Sequence, residues 1–133
     1  MQRAILIIIT ALLTVSAGNS DERIKKKAER IHKKALTIDS HVDTPMWLMR
    51  EGYDFGERHD PHTQRNKLDI PRMQEGGLDG VFFAVFIGQG DRTPEGNAAA
   101  YKEAHDIIDS IESTVDRYAR KLEIVTESDD LDR

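Results

Sequence analysis

His41 and Asp43 stand two residues apart at the end of an alternating, β-branched stretch, Leu36 to Val42, that Pro45 closes. Residues i and i+2 of a strand point to one face. An imidazole nitrogen and a carboxylate oxygen would therefore project together, with Val42 facing away. Neutral imidazole and carboxylate are donor types that hold zinc or a similar divalent ion, and the two make half a site. In parallel α/β folds such sites lie at the C-terminal ends of strands, where this pair falls. Spacing alone is a weak signal in a chain rich in aspartate. The competing reading is a surface histidine beside an aspartate that caps the turn before Pro45.

Other residues offer less. Asp39 precedes His41 by two and is expected to share its face, either orienting the imidazole as a partner behind the metal or standing as a buried, satisfied carboxylate. His59, Asp60 and His62 lie in a polar segment with Pro61 between them, which preorganises little, so they read as loop residues rather than ligands. His32 and His105 fall on helical patterns and read as surface or core-edge residues. The sequence carries no phosphate loop, dinucleotide fingerprint or serine nucleophile elbow.

The elements that must position the pair follow from periodicity. Asn19 to Leu36 predicts a helix, with Asn19 and Glu22 at capping-box spacing. Ile24, Ala28, Ile31 and Ala35 form one stripe, and lysines form a solvated face. Leu36 to Val42 is the first strand, Met46 to Arg50 one helical turn, and Glu51 to Lys67 a long loop of functional length. Asp69 to Glu75 predicts a short helix, capped by Asp69, with Pro71 in its first turn and Gly76-Gly77 ending it. Gly80 to Ile87 is a nearly continuous apolar run, expected as a strand buried on both faces. Gly88 to Gly96 is a loop. Asn97 to Leu122 is the longest helix, with Ala104, Ile107, Ile108, Ile111, Val115, Tyr118 and Leu122 on one stripe. Leu122 to Thr126 predicts a third strand, and Ser128 starts another helix. This alternation means α/β units on a parallel sheet.

Composition narrows the class. The 133 residues carry a formal charge of −5, with 38% hydrophobic and 32% charged residues, which suits one small globular domain. The absence of cysteine excludes a disulfide scaffold, a zinc ribbon, an iron–sulfur site and a cysteine nucleophile. The acidic balance gives no electrostatic reason to expect nucleic acid. At the N-terminus, Arg3, an apolar run from Ala4 to Val15 and small residues up to Ala17 read as a signal peptide over residues 1–17. The run is short for a membrane-spanning helix. Residues 18–133 then form the mature, exported chain, periplasmic or extracellular, without membrane contact once the signal is removed.

Two stretches together resemble one family. Ile38-Asp39-Ser40-His41-Val42-Asp43-Thr44-Pro45 resembles the first-strand motif of the membrane (renal-type) dipeptidases. His62-Thr63-Gln64, Asp69-Ile70-Pro71-Arg72-Met73-Gln74-Glu75-Gly76-Gly77 and Gly80-Val81-Phe82-Phe83-Ala84-Val85-Phe86 are similar to the second segment of the same family. The likeness runs over about residues 22 to 133.

The resemblance implies a zinc dipeptidase of the amidohydrolase type on a (β/α)₈ TIM barrel, of which this chain would hold about three of eight strands. It implies His41 and Asp43 as first-strand metal ligands, two zinc ions in the complete site, dipeptide substrates hydrolysed by a metal-activated hydroxide, and a possible homodimer. The bridging carboxylate and two further histidines that the family uses are expected beyond Arg133, with no catalytic residue inside this chain. The 133 residues alone are therefore expected to be an inactive, poorly folded N-terminal portion. The alternatives are another metal-dependent amidohydrolase, or a small exported non-catalytic protein in which His41 and Asp43 are incidental.

Overall fold

A computed structural model describes residues 20–63 and 66–132. The expected signal peptide and the Asn19 cap lie outside the described residues. The chain divides into two compact units at Leu36–Thr37. In the first, helix α1 is described over 20–32 and stops short of the expected Leu36, turning through 33–35. Its apolar positions Ile24 and Ile31 are exposed, and Lys26 pairs with Glu22 at 3.4 Å one turn away. Such an exposed pair contributes a few tenths of a kcal/mol.

The second unit holds strand β1 (Ile38–Val42), the single turn α2 (Pro45–Leu48), helix α3 (Ile70–Gly76), strand β2 (Gly80–Phe83), helix α4 (Pro94–Arg117) and a 3₁₀ turn at Ser128–Asp132. β1 and β2 pair in parallel. The expected start of α3 is found: the Asp69 carboxylate accepts from the Arg72 N–H at 2.8 Å, and Pro71 sits in the first turn. The helix ends where Gly77 takes φ 65°, a left-handed conformation that costs glycine little. α4 starts earlier than expected because Thr93 caps it, its hydroxyl accepting from the Gly96 N–H at 3.1 Å, with Pro94 in the first turn. It ends at Arg117, where the Tyr118 N–H bonds back to Thr114 and Val115.

The core gathers Phe55, Leu68, Ile70 and Met73, with Val42, Leu48, Val81, Phe83, Tyr118 and Leu122 packed around them. Phe55 meets Phe83 edge to face at 6.0 Å between centroids, a favoured aromatic arrangement. Two of these core residues, Phe55 and Leu68, come from the long segment between α2 and α3, so that loop anchors the unit. The Ile70 N–H also donates to the Phe55 carbonyl at 3.0 Å, tying the loop to the head of α3.

Three expectations are corrected. The run from Gly80 is a strand only to Phe83, and it is not buried on both faces: Phe82 is 64% exposed and Phe86 55%. The core packs against one face of β2, where Val81 and Phe83 meet it, and Phe82 points the other way. The third strand at Leu122–Thr126 does not form. The Leu122 N–H turns back to the Tyr118 carbonyl at 3.0 Å, and Ile124 and Val125 are exposed. A strand exists only with a ladder partner, and the described sheet contains β1 and β2 alone. The helix expected from Ser128 is a single 3₁₀ turn within the described residues.

Candidate functional site

His41 lies in the last two residues of β1, and Asp43 begins the turn into α2. Behind them Thr44 and Pro45 are buried, and the Met46 N–H bonds to the Asp43 carbonyl at 3.3 Å, which holds the strand end against the first turn of α2. The two side chains converge. His41 Nε2 lies 3.2 Å from Asp43 Oδ1, and both groups are open to solvent at 66% and 59% side-chain exposure. Val42, between them, packs against the core.

This placement depends on an irregularity in the ladder. Ile38 pairs with Gly80 and Asp39 with Val81, but Phe83 pairs with Val42. A regular register would have set His41 opposite Phe83, on the side where Val81 and Phe83 meet the core. The hydrogen bonds report the same shift. The Gly80 N–H donates to Thr37 O, and the Ala84 N–H donates to Val42 O, so β1 advances five residues while β2 advances four. A bulge absorbs the extra residue. Because side chains alternate with a period of two, one added residue exchanges faces beyond it. Val42 is thereby turned to the core, and His41 and Asp43 away from it.

The donor set suits a divalent ion. Two ligands each about 2.1 Å from a tetrahedral ion stand about 3.4 Å apart, close to the observed 3.2 Å. A neutral imidazole and a carboxylate are both favoured zinc donors. Among the described residues no group of three or more histidines, cysteines, aspartates or glutamates gathers. The pair therefore stands as two donors.

The remaining sequence candidates go elsewhere. Asp39 does not touch the imidazole; its carboxylate accepts from the His41 backbone N–H at 3.0 Å, and it is exposed rather than buried. His59 is buried, stacked on Tyr53 at 4.4 Å, with Nε2 2.6 Å from the Asp54 carbonyl oxygen. Asp60 accepts from the His62 N–H at 2.8 Å, a local turn contact that holds its carboxyl below the usual range. His105 leans on Tyr101 at 4.4 Å on the exposed side of α4, and His32 is exposed on α1.

Sequence reasoning missed the polar network that fixes the loop. Asp69, fully buried, accepts from the His59 N–H at 2.8 Å and from Arg72 Nε at 2.6 Å, besides capping α3. Burial alone would raise its carboxyl, but the N–H groups of His59 and Arg72 and the Arg72 guanidinium prevail and hold it below the ordinary aspartate value. Asn66, also buried, donates to the Leu68 carbonyl at 2.6 Å and to the Tyr53 hydroxyl. The Tyr53 phenol is pushed up to about 12 by burial first and by the Asp69 charge second, with Arg72 opposing. The signal that could have found this network was the helix cap at Asp69, which needs a second partner once buried. A cleft of about 530 Å³ lies among Tyr53, Asp54, Ser110, Thr114, Arg117 and Tyr118; His41 and Asp43 do not line it.

Residues 25–133 fit the family model described as membrane dipeptidase, peptidase family M19.

Proposed function

The chain belongs to the membrane dipeptidase family, and from that premise we propose that it serves zinc-dependent hydrolysis of dipeptides, with His41 and Asp43 as metal ligands from the first strand of a (β/α)₈ barrel. The observation that carries the reading is the 3.2 Å approach of His41 Nε2 and Asp43 Oδ1 at the C-terminal end of β1. Barrel enzymes build their sites at that end of the strands. On this reading residues 1–17 are removed as a signal peptide, and the exported protein meets small peptides in the periplasm or outside the cell.

Bound zinc would polarise the peptide carbonyl and make water acidic enough to supply a nucleophile at neutral pH. The chain's own residues act around it. His41 offers Nε2 as a neutral donor. Asp43 offers a charged oxygen that offsets part of the ion's charge. The buried Thr44–Pro45 turn fixes the backbone that carries the carboxylate. A catalytic zinc needs about three protein ligands and an open position.

Zinc bound by the purified chain, measured by equilibrium dialysis, tests the assignment. The chain is expected to bind weakly, and His41→Ala and Asp43→Ala are each expected to lose about tenfold or more in affinity. Zinc content unchanged in both variants would sink it. With two described donors, the 133-residue chain assayed alone with zinc is expected to show no dipeptide turnover. The mutual hydrogen bond of the exposed pair favours a second reading, in which His41 and Asp43 only stabilise the strand end of a non-catalytic protein. The same two variants then leave zinc binding unchanged and lower the melting temperature.

A further inference from the structure

We propose that Asp39 is the positioning residue of this site: its carboxylate fixes where β1 bulges and so aims the His41 ring at Asp43. The inference rests on the assignment of His41 and Asp43 as ligands for its purpose, but its geometry stands in the chain without metal.

The bulge is confined between two clamps. Upstream, the Thr37 N–H donates to Asp79 Oδ2 at 2.9 Å, and the Asp79 and Gly80 N–H groups both donate to Thr37 O at 3.0 Å. Downstream, the Ala84 N–H donates to Val42 O at 2.9 Å. Packing of Val42 beside Phe83 in the core requires one extra residue of β1 between the clamps. Packing does not say which backbone N–H must leave the ladder. That choice decides the direction of the imidazole, because the ring follows its own backbone.

The contact that makes the choice is the bond from the His41 N–H to Asp39 Oδ1, 3.0 Å long. An aspartate accepting from the N–H two residues on is the side-chain mimic of a backbone turn. It gives the His41 N–H a charged acceptor in place of a strand carbonyl, so the bulge sits at Ser40–His41 and not one residue later. With the ring carried on that fixed backbone, Nε2 arrives within 3.2 Å of Asp43 Oδ1. Asp39 touches neither the other donor nor, on this geometry, the ion.

The test uses the 133-residue chain and two independent readouts. The first needs no metal: amide hydrogen exchange and the chemical shift of the His41 backbone N–H by NMR. The His41 amide in the unsubstituted chain is expected to exchange slowly despite the exposed side chain. Asp39→Ala is expected to lose that protection, and Asp39→Asn, whose amide oxygen still accepts, to keep most of it. The second is zinc affinity, expected to fall about tenfold in Asp39→Ala and to be restored by Asp39→Asn. An unprotected His41 amide in the unsubstituted chain overturns the proposal even if Asp39→Ala does not fold. So does an Asp39→Ala chain that keeps both protection and affinity, or an Asp39→Asn chain as impaired as Asp39→Ala. Should the unsubstituted chain bind no zinc while the amide behaves as expected, the ligand assignment fails and the positioning geometry survives.

Discussion

Asp69 has the heaviest duties of any single side chain in the second unit. It caps α3, accepts from the loop at His59, pairs with Arg72, and is fully buried. Removing one partner of a buried, hydrogen-bonded pair strands the other, so Asp69→Ala is expected to cost about 3 kcal/mol, read by urea denaturation. The same carboxylate sets an acid limit. Asp69 is held below the ordinary aspartate value of 3.8, as is Asp54, chiefly through the Tyr118 hydroxyl. A carboxyl with a lowered folded-state pKa adds stability that is complete above its unfolded value and is lost as pH falls through the folded one. The melting temperature is therefore expected to be level above about pH 5 and to fall steeply below the unfolded aspartate value. Asp69→Asn is expected to flatten that fall, and an equal slope in the variant would contradict the assignment.

Among the elements, the ends of α3 were legible locally. Asp69, Pro71 and Gly77 are each a short-range signal, and the structure uses them as the sequence implies. Gly77→Ala places a side chain at φ 65° and is expected to cost about 1 kcal/mol, visible as a lowered denaturation midpoint. Thr93→Ala is expected to cost a similar amount, about 1 kcal/mol, through loss of the cap that the apolar stripe gave no reason to look for. Gly56 is different in kind: a side chain there would run into the Tyr118 ring, so Gly56→Ala is expected to break the Tyr118–Asp54 bond and raise the Asp54 carboxyl toward its ordinary value. Carboxyl titration followed by NMR checks this. The third strand was misread because Leu122 to Thr126 has the residue types of a strand but no described neighbour to pair with. Composition carries propensity; it does not supply the partner.

At the scale of the molecule, the sheet has one packed face and one open one. Phe83 and Val81 close the core, whereas Phe82, Val85 and Phe86 are exposed along and beyond β2. Exposed apolar side chains gathered in one patch mark a surface for association. The protein is expected to self-associate with rising concentration, and Phe82→Ser with Phe86→Ser to suppress this in light scattering without loss of helicity. Concentration-independent scattering by the unsubstituted chain would count against an open face.

The sequence by itself determined the donor types at 41 and 43, the alternation that lets them share a face, the caps of α3 and the family to which the chain belongs. These are short-range or pattern properties, set by residues a few positions apart. Only the tertiary structure decided that Val42 and not His41 meets Phe83, that Asp39 serves a backbone N–H instead of the ring, and that His59 is a buried packing residue. Those outcomes depend on the register between two strands and on how a long loop closes over a core. Both are choices among long-range pairings that no local spacing encodes.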